Sequence, residues 1–168
     1  MYVNMVFLAI FFGYTMGMAP VISFNYGANN TDELKSLLKK SLMIVGISSV
    51  VMVVSSRLLA KPLSYLFASN HSNLLEITVR GFYIYSFCFL FAGMAIFGSS
   101  FFTALNNGFV SALISFLRTV VFQIAAVMLL PLIFGLDGIW VSVVVAEFSA
   151  AVLSAVFIFA RRKKYNYI

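Results

Sequence analysis

The stretch FVSALISFLRTVVFQIAAVMLLPLIF, residues 109–134, runs into Gly135-Leu136-Asp137-Gly138 and on through IWVSVVVAEFSAAVLSAVFIFA to the basic cluster Arg161-Arg162-Lys163-Lys164. It reads as two apolar runs, 109–134 and 138–160, joined by a tight glycine-bounded turn. At 1.5 Å of rise per residue, each run is long enough to cross a hydrocarbon core ~30 Å thick. Inside them only Arg118 and Glu147 carry charge. Working outward, three more runs of the same kind lie near 2–24, 39–60 and 77–105. The third of these is longer than a span requires, so it is expected to tilt or to extend past the membrane surface.

The whole composition agrees with that reading. Hydrophobic residues make up 62% of the 168 residues and charged residues 10%, and the mean hydropathy is +1.04. A soluble domain carries roughly 25% charged residues, and it could not cover so much apolar surface with so few charges. Hydrocarbon solves the problem, provided every backbone polar group is satisfied within helices. The expected fold is therefore an all-α integral membrane protein of about five transmembrane helices, with residues 1–168 forming one unit and the lipid bilayer as its principal partner. A net charge of +6 raises the question of nucleic acid. The basic residues sit at the ends of apolar runs, where they serve headgroup binding and topology, so no nucleic-acid partner is expected.

Two linkers are longer than turns. Asn25–Ser36 is polar, with Asn29, Asn30, Thr31 and Asp32 available to cap the helix that follows. Lys61–Ile77 is mixed, and its Leu63, Leu66 and Phe67 suit the interface. Asn106-Asn107-Gly108 is a further tight turn. With five spans, one side holds Lys35, Lys39, Lys40, Arg161, Arg162, Lys163 and Lys164, and the other holds Arg57, Lys61 and Arg80. The positive-inside rule then puts the C-terminus in the cytoplasm and the N-terminus outside, in a multi-pass cell-membrane protein. An odd number of spans that begins abruptly in apolar sequence leads to the expectation of a fragment whose earlier spans are missing.

Little in the sequence invites catalysis. Cys88 is the single cysteine and His71 the single histidine, so neither an internal disulfide nor a Cys/His metal site is expected. No nucleophile elbow, zinc-protease or phosphate-loop motif is present. The expectation is a non-enzyme without cofactor or metal.

The polar and irregular positions inside the spans are the candidates for function. Gly13, Gly17 and Pro20 interrupt the first run. Pro20 leaves the carbonyl of Met16 without its helical donor, so this stretch is either a gating bend or a small-residue packing face. Arg118 and Glu147 each lie about nine residues into their runs. Charge at such depth costs ~2.5–3.5 kcal/mol on insertion scales, so each needs a partner or an aqueous cavity. Counting from the Gly135–Gly138 turn separates them by roughly 10 Å along the axis, which makes direct contact marginal. Tyr83, Tyr85 and Ser86 are candidates for a solute path because their polar groups favour an interior or interfacial setting. The nineteen phenylalanines and eight methionines suit soft binding of flat cations, although any single phenylalanine in a span more often faces lipid.

One stretch is specific enough to resemble a known family. Gly17-Met18-Ala19-Pro20-Val21-Ile22-Ser23-Phe24-Asn25-Tyr26-Gly27-Ala28-Asn29-Asn30 is similar to the G-x-x-P-x-x-x-x-N-Y-G-A-x-N signature of multidrug and toxic compound extrusion (MATE) transporters. In that family this stretch ends the eighth of twelve helices and enters a cytoplasmic loop. The likeness continues in order through Leu66–Asn70, Phe101–Gly108 and Phe134–Trp140, so it covers essentially the whole chain. The resemblance implies helices eight to twelve, which is five of the six helices of the C-terminal lobe, with Asn25, Tyr26, Gly27 and Ala28 as the signature loop.

It further implies secondary active antiport of organic cations and other amphipathic compounds against sodium ions or protons. The N-terminal lobe and helix seven would be the missing partners. Two departures stand out. Met18 occupies a position that is often Gln, and 77–105 lacks the carboxylate that members often carry in helix ten, so the resemblance places no coupling-ion site here. A lipid-linked or polysaccharide flippase of the same superfamily, or a non-transporting membrane fragment or interaction subunit, are the alternative readings.

Overall fold

The computed structural model describes residues 2–68 and 72–165. In chain order the elements are α1 (Tyr2–Gly27), α2 (Thr31–Ala68), α3 (Ser72–Tyr85), α4 (Cys88–Ala104), α5 (Gly108–Phe116), a π-helical segment (Leu117–Phe122), α6 (Gln123–Phe134) and α7 (Leu136–Tyr165). No described residue lies in a strand. Four helical stretches are long and apolar enough to cross a membrane, and a fifth span results if the bent pair α3–α4 is counted as one. The all-α membrane fold expected from the apolar runs is the fold observed.

Where the helices begin and end departs from the expectation in three places. The linker 25–36 shrinks to a turn over 28–30, because Asn29 takes a left-handed backbone (φ 54°) and the Asn30 side chain accepts the Glu33 N–H at 3.3 Å. That cap, with Asp32 and Glu33 in the first turn, lets α2 start eight residues before the apolar run at 39. At its other end α2 continues through Pro62 to Ala68, which absorbs much of the linker expected from Lys61. Ser69, Asn70 and His71 lie outside the described residues.

The third departure is the long run 77–105, which is two helices bent by 43°. The break falls at Ser86–Phe87, where no proline or glycine stands. Ser86 Oγ donates to the Tyr83 carbonyl at 2.8 Å and accepts Arg57 Nε from α2 at 3.3 Å. Backbone bonds there tighten to three-residue spacing, Phe87 to Ile84 and Phe89 to Ser86. A hydroxyl that bonds back to its own helix bends it, and a donor from a neighbouring helix holds the bend in place.

Helix α4 occupies the middle of the bundle and packs on α1, α2, α5 and α7. Its Phe89, Phe97, Phe101 and Phe102 are fully buried with Phe11 and Ile22 of α1. Gly93 makes that centre possible: a Cβ there would meet the Phe11 ring at 2.6 Å and Val45 at 2.8 Å. The flanks are different. Val120, Ile124, Met128, Leu132 and Ile133 of the π segment and α6 are exposed, as suits side chains whose solvent is lipid.

The two ends of the bundle are set by side-chain ties. Asn107 caps α5 by accepting the Val110 N–H at 3.3 Å and donates to Tyr165 Oη at 2.7 Å. Tyr165 in turn meets the Tyr26 ring edge-on, with centroids 5.7 Å apart. The end of α1, the Asn106–Gly108 turn and the end of α7 therefore share one end of the bundle, as the five-span count requires. At the opposite end Arg80 of α3 pairs with Asp137 in the first turn of α7.

Candidate functional site

The region with the densest chemistry forms where α1, α4 and the π segment face one another. Arg118 sits in the π-helical turn, and its Nε bonds both carboxylate oxygens of Glu147 on α7, at 3.2 and 3.0 Å. Its Nη2 bonds Oε1 at 2.8 Å. The side chains are only 18% and 13% exposed, so this is a forked, charge-assisted pair held away from water.

The expected 10 Å offset between these two residues is corrected by the turn that joins their helices. The count assumes that α6 and α7 diverge symmetrically from the turn. Instead α7 starts at Leu136, and Gly138 lies directly on the Leu130 carbonyl, where a Cβ would collide. This overlap brings Gly138 level with Leu130–Pro131 and reduces the axial offset between Arg118 and Glu147 to about one helical turn, which the long arginine side chain spans. The π segment contributes by widening the helix at Arg118, a distortion found often at functional sites.

Beside the pair, a cleft of about 370 Å³ is lined by α1, α4, α5 and the π segment. Its walls carry Thr15, Ser99, Ser100, Thr103 and Ser115 together with Arg118, and apolar Phe12, Met16, Ala19 and Ile96. The hydroxyls are linked. Ser99 Oγ lies 2.7 Å from Ser115 Oγ and 3.0 Å from Ser111 Oγ, and Thr103 Oγ1 lies 2.7 Å from Ser111 Oγ. Ser100 Oγ donates to the Thr15 carbonyl at 3.4 Å, which ties α4 to α1. Such a network can give or accept hydrogen bonds toward a solute at low rearrangement cost.

The hydroxyls are not among the sequence candidates. Their signal is present all the same: Ser99 and Thr103, and Ser111 and Ser115, are each four residues apart, which puts each pair on one helix face. Serine is common in membrane helices, and nothing local says that the two faces meet.

The other candidates are placed as follows. Tyr85 is half-buried with its ring edge on Phe89. Ser86 is buried in the α3–α4 bend and bonded there. Tyr83 is exposed and belongs to a different, open groove with Leu75, Glu76, Val79, Arg80 and Ile84. Helix α1 passes unbroken through Gly13, Gly17 and Pro20. A Cβ at Gly13 or Gly17 would meet nothing within 4 Å, so no described helix packs on that face. In the signature loop, Asn25 Nδ2 donates to the Val21 carbonyl at 2.9 Å, Tyr26 packs on Tyr165, and the backbone closes from Ala28 to Phe24. Leu66, Phe67 and Ala68 belong to helix α2, and Ser69 and Asn70 of that segment lie outside the described residues.

Among the described residues, apolar helices thus pack around a hydroxyl-lined cleft beside a sequestered ion pair, the arrangement of a helical membrane-protein bundle. The sequence profile of the MatE family matches residues 1–129, and the chain belongs to that family. Among solved structures, the chain is similar to the Vibrio cholerae MATE transporter VcmN in the bent form, with TM-score 0.86 and 20% identity over 96% of this chain and 36% of that one. It is also similar to a multidrug resistance MATE family transporter of the MOP superfamily in an inward-facing conformation, with TM-score 0.89 and 18% identity over 98% of this chain and 38% of that one. The crystal structure of a MATE point mutant gives TM-score 0.89 and 18% identity over 99% of this chain and 37% of that one. The chain thus spans just over a third of those transporters and has the fold of most of one lobe. No curated protein matches it.

Proposed function

We propose that this chain is most of the C-terminal lobe of a secondary antiporter that exports amphipathic organic compounds, cations among them, in exchange for sodium ions or protons. The observation that carries the reading is the cleft beside Arg118 and Glu147. Five hydroxyls and an ion pair are gathered in one place inside helices whose other surfaces are apolar, and intramembrane polar groups of this kind mark solute or ion paths. The complete carrier would require a second lobe across that cleft and a further helix against the open face of α1 at Gly13 and Gly17. The C-terminus would face the cytoplasm, in line with the basic residues at 35–40 and 161–164.

Glu147 enters this reading as the counter-ion of Arg118, so the site of the coupling ion is sought elsewhere in the assembled carrier. The test is ethidium efflux from drug-sensitive cells that express this chain alone or together with the complementary helices, with membrane insertion verified in each case. Efflux restricted to the co-expressing cells supports the proposal. Equal retention of ethidium in both, with both polypeptides inserted, removes drug export and leaves the flippase or inert-fragment readings.

A further inference from the structure

Helix α2 opens with a cluster of cations that the rest of the bundle does not engage. Lys35, Lys39 and Lys40 are all exposed, and none of them pairs with a described carboxylate. Of the five Asp and Glu residues in the chain, Asp137 and Glu147 are held by Arg80 and Arg118. Asp32 and Glu33 share the first turn of α2, but they stand about 9–12 Å farther out along the helix axis than Lys39 and Lys40. The two inner lysines therefore mark the border between the polar start of the helix and its apolar run.

Below that border the same face is apolar and uncovered. Inward from Lys39, at helical spacing, come Met43, Gly46, Ile47, Val50 and Val54. The four large side chains are each more than half exposed. A Cβ at Gly46 would meet nothing within 4 Å, so the glycine leaves a shallow notch in the stripe. From Lys39 to Val50 the helix rises about 16 Å, close to half of a hydrocarbon core ~30 Å thick. The other end of the bundle is built differently. There Arg80 is paired with Asp137, and Arg57 bonds Ser86 and lies over the Phe87 ring, which leaves Lys61.

We infer that the α2 face from Lys35 to Val50 holds an anionic phospholipid from the leaflet at that end of the bundle. Lys39 and Lys40 stand at the level of its phosphate, Lys35 approaches from the aqueous side, and an acyl chain lies along the stripe past Gly46. Charge complementarity selects an anionic group, and the uncovered apolar face selects one that carries a hydrocarbon chain. A topology signal would act through any basic residue of the loop during insertion; this site requires these side chains in the folded helix. The inference is independent of what the cleft beside Arg118 transports.

The test uses the purified 168-residue chain in phosphatidylcholine vesicles, with insertion and helicity verified. A trace of chain-spin-labelled phosphatidylglycerol or phosphatidylcholine is added, and electron paramagnetic resonance reads the motionally restricted fraction of each. The expected result is a preference for phosphatidylglycerol of about fivefold or more. It should fall below about twofold in K35Q/K39Q/K40Q and persist in K61Q. Lys39→Gln, measured as well in case the triple variant does not fold, should lower it by about twofold.

Equal restriction of the two lipids by the folded wild-type chain, or a preference that survives in folded K35Q/K39Q/K40Q, would overturn the inference. So would a loss in K61Q as large as that in the triple variant. Three further outcomes reassign the residues and overturn it too. Loss only in R162Q/K163Q puts the lipid at the end of α7. Displacement of the labelled lipid by millimolar glycerol phosphate makes the lysines a site for soluble anions. Loss of the preference on co-reconstitution with the complementary helices gives the face to a protein partner.

Discussion

Among the described residues two arginine–carboxylate pairs join helices, and they differ in nearly everything except chemistry. Arg118–Glu147 lies within the apolar runs with side chains 18% and 13% exposed, whereas Arg80–Asp137 sits at one end with exposures of 67% and 29%. In water-accessible surroundings an ion pair is screened, and its members can each be hydrated when apart, so it contributes about 0–1 kcal/mol. A sequestered pair is asymmetric: forming it recovers little beyond the desolvation cost, but removing one partner strands a charge. The lesson is that Arg80–Asp137 fastens an end loosely, while Arg118–Glu147 constrains the interior because neither member tolerates the loss of the other.

The comparison breaks most sharply at Arg118. Arg118→Leu should lower the stability of the chain by roughly 3–5 kcal/mol, whereas R118L/E147L should recover most of that loss. Unfolding midpoints in mild detergent, followed by circular dichroism, would check it. If the double variant is as unstable as the single one, the damage comes from lost packing and not from a stranded charge.

Next in size is the turn that aligns the inner pair. Gly138→Leu forces a side chain onto the Leu130 carbonyl and Pro131, at a cost of about 1–3 kcal/mol. It should also pull Glu147 out of register with Arg118. A double-mutant cycle between positions 118 and 147 in that background should give a coupling energy well below the one measured with Gly138 intact. An unchanged coupling would mean that the overlap at Gly138 is not what sets the register.

A smaller effect is expected from Ser86→Ala. The change removes the hydroxyl that bonds both Tyr83 and Arg57, which costs about 0.5–1.5 kcal/mol. It should also relax the α3–α4 bend, read as a change in the distance between spin labels placed at Val79 and Ile96. Smallest of all, Asp137→Asn should cost under about 1 kcal/mol, and the difference from wild type should shrink further as salt is raised. A loss at Asp137 as large as that at Arg118 would erase the contrast between the two pairs.

The spans and the family are legible in the sequence, and the site only in part. Run lengths show the helices because hydrocarbon imposes a minimum apolar length whatever the tertiary fold. The signature from Gly17 to Asn30 carries the family, since it depends on local residue identities. The capping asparagines are readable for the same reason, although not the distance to which α2 runs on either side.

The departures share a different cause. The local sequence marks Gly13, Gly17 and Pro20 as either a bend or a packing face, and α1 is helical through all three. The observed bend is at Ser86, whose back-bond is secured by Arg57, 29 residues away. A residue on another helix supplies what no local window contains. Arg118 and Glu147 stand out singly because charge within an apolar run is conspicuous. Their contact depends on Gly138 resting on Leu130, and the hydroxyl cleft depends on the approach of α1, α4 and α5. Sequence by itself determined that the chain inserts as helices and which polar residues those helices must shelter, since both follow from the transfer of each segment into hydrocarbon. Only the tertiary structure decided which sheltered residues meet, because helix register and crossing are set by close packing between segments far apart in the chain.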